Sequence, residues 1–140
     1  MKVLLAVDGS EFTKRMLAWL AVHPELIGPD SEHTFITVVP SLPPHVTRYV
    51  DEKTEESYYT DLAEEVFAPI IAFGARHGWK MSKLSPVGRA AEEIVKAAER
   101  TGCELIVMGS HGHSPIGNLV LGSVAQRVLA TCKVPVLIVR

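Results

Sequence analysis

Cysteine is scarce in this chain: Cys103 and Cys132 are the only two among 140 residues. They have no metal-ligand spacing and supply no dense disulfide framework of the kind that staples small secreted domains. Each lies just before an apolar run, 104–108 or 134–139, so both belong at one edge of the fold. If those runs are neighbouring strands the thiols come close; two inert thiols in a reducing compartment is the plainer alternative. Charge of one sign is also lacking. The net charge is −2 and the basic residues are scattered, which excludes the electrostatic footprint of a nucleic-acid binder. No apolar run approaches the ~20 residues that cross a bilayer. Only Val3 to Val7 separate Lys2 from Asp8, too few for the apolar region of a signal peptide. These absences lead us to expect a cytoplasmic protein with neither nucleic acid nor membrane as a partner.

What the chain does contain is apolar residues, 47% of the total. That proportion, at this length, suits one domain over residues 1–140 with a single core and strands buried on both faces. Strand and helix signals alternate throughout. Lys2–Val7 is a β run ending in the turn Asp8-Gly9. Ser10 is an N-cap for a helix with Phe12, Met16, Leu17 and Leu20 on one face, stopping near His23-Pro24. His33–Val39 is a second strand, and the proline-rich 40–50 an extended loop. A long helix from Glu52 to Ala75 presents Tyr59, Leu62, Val66 and Ile70. Pro69 lies inside it, and its missing N–H predicts a kink or break near Glu65–Pro69.

Trp79–Leu84 is a third strand. Ala90–Arg100 is a helix with Ile94, Val95 and Ala98 inward, ended by Thr101-Gly102. A strand at 104–108, a short helix at 123–131 and a strand at 134–139 complete βαβαβαβαβ. Such alternation implies a parallel sheet with right-handed crossovers.

The most informative stretch is 109–123, GSHGHSPIGNLVLGS. Gly109, two residues, Gly112, nine residues and then Gly122-Ser123 connect an apolar strand to a helix start. Glycine permits close backbone approach and positive φ. The free N–H groups at a helix start favour an anion. Gly112 to Gly117 has P-loop spacing, but Asn118-Leu119 follows where Lys and Ser/Thr are required. The GxGxxG fingerprint is absent as well.

The pattern G-x2-G-x9-G-S resembles the nucleotide-binding loop of the universal stress protein family. Val3 to Ser10, Phe35 to Pro40, Glu104 to Gly112 and Pro135 to Arg140 resemble four of that family's strands in order. The resemblance implies a single open, doubly wound, five-stranded parallel sheet of order 3-2-1-4-5 with helices on both faces. Its ligand crevice would lie where the order reverses, between strands one and four.

In that reading the nucleotide-binding residues are Asp8, Gly9, Ser10, Val39, Met108, Gly109, His111, Gly112, Gly122, Ser123 and Val124. Asp8 would accept from ribose or adenine groups, and Val39 would pack on the purine. Gly109 would let the chain leave the strand close to the ribose. Backbone N–H groups near Gly112, Gly122 and Ser123 would cradle phosphates. The Ser123 hydroxyl would cap its helix and donate to an oxygen, and His111 would donate to the phosphates. Asp8 can equally be a helix cap, and Gly122-Ser123 no more than a helix start.

The expected ligand is ATP or ADP, with Mg2+ held mainly by phosphates and water; His111 and His113 make a poor metal cage. The loop 109–123 contains no Lys or Arg, and no nucleophile–base pair with recognisable spacing appears, so at most slow ATP hydrolysis is expected. The resemblance implies a stress-response or regulatory module whose nucleotide occupancy tunes stability or partner choice. The alternatives are a nucleotide-independent dimeric interaction protein and a weak ATPase. A homodimer through Val134 to Val139 would cover an apolar edge, and 41–56 is the region expected to meet a protein partner.

Overall fold

The computed structural model describes residues 1–114 and 118–140. Pro115, Ile116 and Gly117, the last of which closes the P-loop-like spacing, lie outside the described residues. The elements run β1 (Lys2–Ala6), α1 (Glu11–Ala21), β2 (Glu32–Ile36), α2 (Pro44–Thr47), α3 (Glu52–Arg76), β3 (Lys80–Leu84), α4 (Ala90–Thr101), β4 (Leu105–Gly109), α5 (Ser123–Thr131) and β5 (Val136–Val139). The strands form one sheet in the order β3-β2-β1-β4-β5, parallel throughout. Among the described residues no helix is long and apolar enough to cross a membrane.

Alternation along the strands sends successive side chains to opposite faces. Val3, Leu5 and Val7 face one buried cluster with Met16, Leu20, Ala63, Phe67 and Ile70, so α1 and α3 cover that side. Leu4, Ile36, Ile106 and Met108 face a second cluster with Ile94, Ala98, Ala125 and Val128, so α4 and α5 cover the other. Strands buried on both sides explain the continuous apolar runs in the sequence.

Four local expectations are corrected. Helix α3 is one continuous element across Pro69. The proline is exposed, as is Glu65, whose carbonyl loses its intrahelical donor there. Phe67, Ile70 and Gly74 meanwhile anchor the buried side; tertiary packing outweighs one missing hydrogen bond. That buried line is Ala63–Phe67–Ile70–Gly74, while Tyr59, Leu62 and Val66 sit at its margin. The proline-rich 40–50 contains the short helix α2, begun by Pro44 with φ already preset. Strands β1 and β2 also end before their apolar runs do at the ligand end, and beyond Ile36 an isolated bridge from Val39 to Val87 continues β2.

Candidate cleft at the sheet reversal

Strands β1 and β4 pair as far as Ala6 and Met108, and beyond that point their chains part. After β1 the chain turns at Asp8-Gly9-Ser10 into α1. Gly9 has φ +76°, a conformation that glycine adopts without strain. After β4 the chain turns the other way, with Ser110 N–H still donating to Val139 O at 2.9 Å. Divergence at the reversal opens a cleft of about 340 Å³, on the side of the sheet covered by α4 and α5.

Asp8 is held from several directions. Its Oδ1 accepts from Ser10 N–H at 2.9 Å and from the Thr13 hydroxyl at 2.9 Å. Thr13 Oγ1 in turn accepts from Asp8 N–H at 3.1 Å. The helix cap itself is Ser10, which accepts from Thr13 N–H at 3.5 Å. Asp8 therefore braces the turn through Oδ1, while Oδ2 faces the glycine loop: a Cβ on Gly112 would stand 2.6 Å from it. Across the cleft, His113 Nε2 donates to the Asp8 carbonyl at 2.6 Å, tying the glycine loop to the turn after β1.

His111 is committed to the loop. Its Nε2 donates to Leu119 O at 3.0 Å. In the neutral ring this leaves Nδ1 to accept from the Ser110 hydroxyl at 2.9 Å. The ring also lies 5.0 Å from Phe12. Both ring nitrogens of His111 are thus engaged within the loop.

The glycines act by close packing rather than by positive φ, which among the described residues occurs only at Gly9, Gly78, Gly88 and Gly102. A Cβ on Gly109 would come 2.9 Å from Phe12 Cβ. That glycine admits α1 against β4 and also lines the cleft. A Cβ on Gly122 would come 3.1 Å from His111 Cα and 3.2 Å from Ser110 O. There Gly122 N–H donates to Ser110 O at 2.7 Å, closing the base of the loop.

Gly122, not Ser123, is the N-cap of α5, and it offers no side-chain bond. The capping role expected of the Ser123 hydroxyl is thereby corrected. The first intrahelical donor is Gln126 N–H, to Gly122 O at 3.0 Å. The N–H groups of Ser123, Val124 and Ala125 thus have no intrahelical acceptor and no partner among the described residues at the cleft wall, and the helix dipole adds positive potential there.

Of the residues expected at the site, the structure brings Asp8, Met108, Gly109, His111, Gly112, Gly122, Ser123 and Val124 around the cleft. Gly9 and Ser10 build the turn behind it. Val39 is turned away: it is 4% exposed and packs in the α1–α3 cluster, and Val38 lines the cleft instead. Alternation decides between them, since only even-numbered residues of this segment face α4 and α5.

Peptide directions follow the same rule. Thr37 and Val39 N–H groups donate to Leu84 O and Pro86 O, toward β3, so the peptide groups of Val38 face the side that β1 has left. Sequence reasoning also missed Thr13, Thr37 and the α4 residues Ala90 and Ile94. Thr13, three residues after the Ser10 cap, carried a faint signal; the α4 residues carried none. Among the described residues no group of three or more His, Cys, Asp or Glu could hold a metal ion.

The model for the universal stress protein family matches residues 1–140. A universal stress protein of Thermus aquaticus is 36% identical over 141 residues, covering 99% of this chain and 97% of the relative. The Synechocystis universal stress protein Slr1230 is 31% identical over 141 residues, and this chain spans 42% of its length. The solved structure of protein MJ0577, of Methanocaldococcus jannaschii, superimposes with a TM-score of 0.78 at 30% identity, covering 99% of this chain and 94% of that one. The Archaeoglobus fulgidus universal stress protein, solved in complex with dAMP, has a TM-score of 0.70 at 20% identity over 100% of this chain and 98% of its own.

Proposed function

This chain belongs to the universal stress protein family, and from that premise we propose that the cleft between β1 and β4 binds an adenine nucleotide as a regulatory ligand. The observation that carries the reading is the division of the cleft into two unlike ends. One end is apolar, walled by Ile36, Val38, Ile94 and Met108, with the peptide edge of Val38 open toward it. An adenine ring is flat and apolar, with donors and acceptors on its rim, and it matches that end. The other end holds the free N–H groups of α5 and the close-packed backbone around Gly112 and Gly122, which suit phosphate. Asp8, which lines the same cleft, would offer Oδ2 to a ribose hydroxyl. The family fold solved with dAMP bound adds support from a relative.

ATP or ADP is the ligand we favour over a monophosphate, because the backbone at Gly112 and the start of α5 at Ser123, Val124 and Ala125 both line the cleft and together offer more than one phosphate can use. A divalent cation would arrive on the phosphates and keep its waters, Asp8 being the one carboxylate at the cleft among the described residues. Neither Lys nor Arg lines it there, and both loop histidines donate to carbonyls. The backbone N–H groups of α5 would bind phosphate, and no cationic side chain among the described residues would stabilise the charge that develops in phosphoryl transfer. Occupancy, rather than turnover, is therefore the proposed signal.

The assembly we propose is a cytoplasmic homodimer joined along β5, the sheet edge, where Val136, Leu137 and Ile138 remain half-exposed. The region around α2 and the exposed Tyr49 is the proposed partner surface. Sedimentation showing a monomer at micromolar concentration would remove the dimer from this reading.

The deciding experiment is denaturation of freshly purified protein with mass analysis of what is released, followed by calorimetry with ATP, ADP and AMP. Adenine nucleotide near one per chain, with tighter binding of the polyphosphates, is the expected result. No released nucleotide and no binding heat would favour the nucleotide-independent interaction protein. Multiple-turnover phosphate release would favour the ATPase.

A further inference from the structure

We infer that Cys103 and Cys132 form a reversible oxidation site, a thiol pair that closes the base of the β4–loop–α5 unit when a hydroperoxide oxidises it. Nothing in this inference depends on the identity of the ligand in the cleft.

Geometry carries it. Strands β4 and β5 are neighbours in parallel register, with Ile106 opposite Val136, and Ile106 N–H donates to Pro135 O at 2.9 Å. Followed back toward the amino end, that register sets Cys103 beside the segment Cys132-Lys133. Both side chains belong to the same apolar cluster beneath α4 and α5, Cys103 within it and Cys132 packed against it. Each is also pinned at a helix end. Cys103 follows the left-handed Gly102 that stops α4, and its N–H donates to Ala98 O at 3.3 Å. Cys132 caps α5, its N–H donating to Val128 O at 2.8 Å. Both are free thiols.

The environments divide the chemistry. Burial pushes the Cys103 thiol up, Thr101 opposes this by hydrogen bonding, and the charge of the neighbouring Cys132 raises it further. Cys103, 8% exposed, is a poor first nucleophile. Cys132 is partly exposed and meets the oxidant first. Its thiolate attacks the hydroperoxide, the O–O bond breaks, and the products are the Cys132 sulfenic acid and an alcohol, or water from hydrogen peroxide. The Cys103 thiolate then attacks that sulfur, forming the S–S bond and releasing hydroxide, which takes the thiol proton to become water. Two thiols lose two protons and two electrons, and one hydroperoxide is reduced to an alcohol and water.

The segment between these cysteines holds β4, the glycine loop and α5, including every residue from Gly109 to Val124 placed at the cleft. A cross-link at its base fixes the strand-to-helix spacing whose far end walls the site.

The test is to treat the full-length protein with hydrogen peroxide, alkylate, digest without reductant and map the cysteines. The expected product is an intramolecular Cys103–Cys132 peptide, with Tm raised by about 10 °C for a loop of this length and restored by dithiothreitol. In Cys103→Ser, dimedone should trap a sulfenic acid at Cys132. Both thiols still alkylatable, separate oxidation of each to the sulfinic acid, or a covalent dimer through Cys132 would each overturn the inference. The wild-type mapping decides the matter even if the serine variant folds poorly.

Discussion

The two ends of the sheet are built on opposite principles. At the carboxyl end the strands stop early, β1 and β4 part, and peptide groups of Val38 and the α5 N-terminus are left facing a cleft. At the amino end the space is filled. Trp79 stacks on His33 at 5.2 Å and on Phe35 at 6.4 Å, and Phe73 meets it edge-on at 5.8 Å. Gly74 lies against Met81 and Trp79, where a Cβ would clash, so α3 descends onto β3 with no gap. Glycine serves both ends: Gly74 admits α3 and Gly109 admits α1 to close packing, while Gly122 also closes the loop that borders the cleft. Peptide groups that border open space gather at the carboxyl end, and aromatic packing fills the amino end, where His33 Nε2 is buried without a partner among the described residues. Cleft and packed core are separated along the strand direction.

If that separation is real, mutations at the two ends should fail in different assays. Gly74→Val should have the largest effect, lowering stability by about 3 kcal/mol through overpacking against Met81 and Trp79, while the folded fraction keeps its nucleotide affinity. Urea denaturation and calorimetry measure the two quantities, and a parallel loss of both would break the comparison. Gly122→Val should do the reverse. Its side chain would push Ser110 and His111 apart, and affinity should fall by about 2 kcal/mol, roughly thirtyfold, with little change in Tm. Unchanged affinity by calorimetry would take the loop out of the binding site.

The smallest effect is a pH dependence seated at the closed end. His33 is 1% exposed; its Nδ1 donates to Lys80 O at 3.2 Å, and Nε2 has no hydrogen-bond partner. Burial depresses its pKa below the ordinary 6.5, the Lys80 carbonyl opposes this, and the amino terminus adds to the depression. Above pH 6.5 the ring is neutral in both folded and unfolded chains, and this contribution is fully present. As pH falls below 6.5 the unfolded chain takes up a proton that the folded ring resists, so stability declines. Urea midpoints between pH 7.5 and 5 should show that slope, and His33→Leu should flatten it. An unaltered slope would assign the dependence to other groups.

Much of this was legible before any coordinates. Alternating strand and helix signals implied the doubly wound sheet, and its order is the one the family resemblance implied. Legibility failed where a local rule met a distant contact. Pro69 reads as a break until Phe67 and Ile70 anchor the helix on the sheet. Gly109 reads as a cleft residue alone, and its packing against Phe12 carried no local signal. Val39 and Val38 are neighbours in one apolar run, and nothing local tells which of them faces the cleft.

The sequence by itself determined the element order, the apolar runs of a sheet buried on both faces, and the glycine spacing that points to phosphate. These depend on periodicity and on residue chemistry within a few positions. Tertiary structure alone decided which side chains and peptide edges meet at the reversal. There His113 bonds the carbonyl of Asp8 across 105 residues of chain, His111 is used up inside its own loop, and Cys103 lies beside Cys132. Such contacts depend on strand register and helix placement, which arise from packing of the whole core and from no single segment.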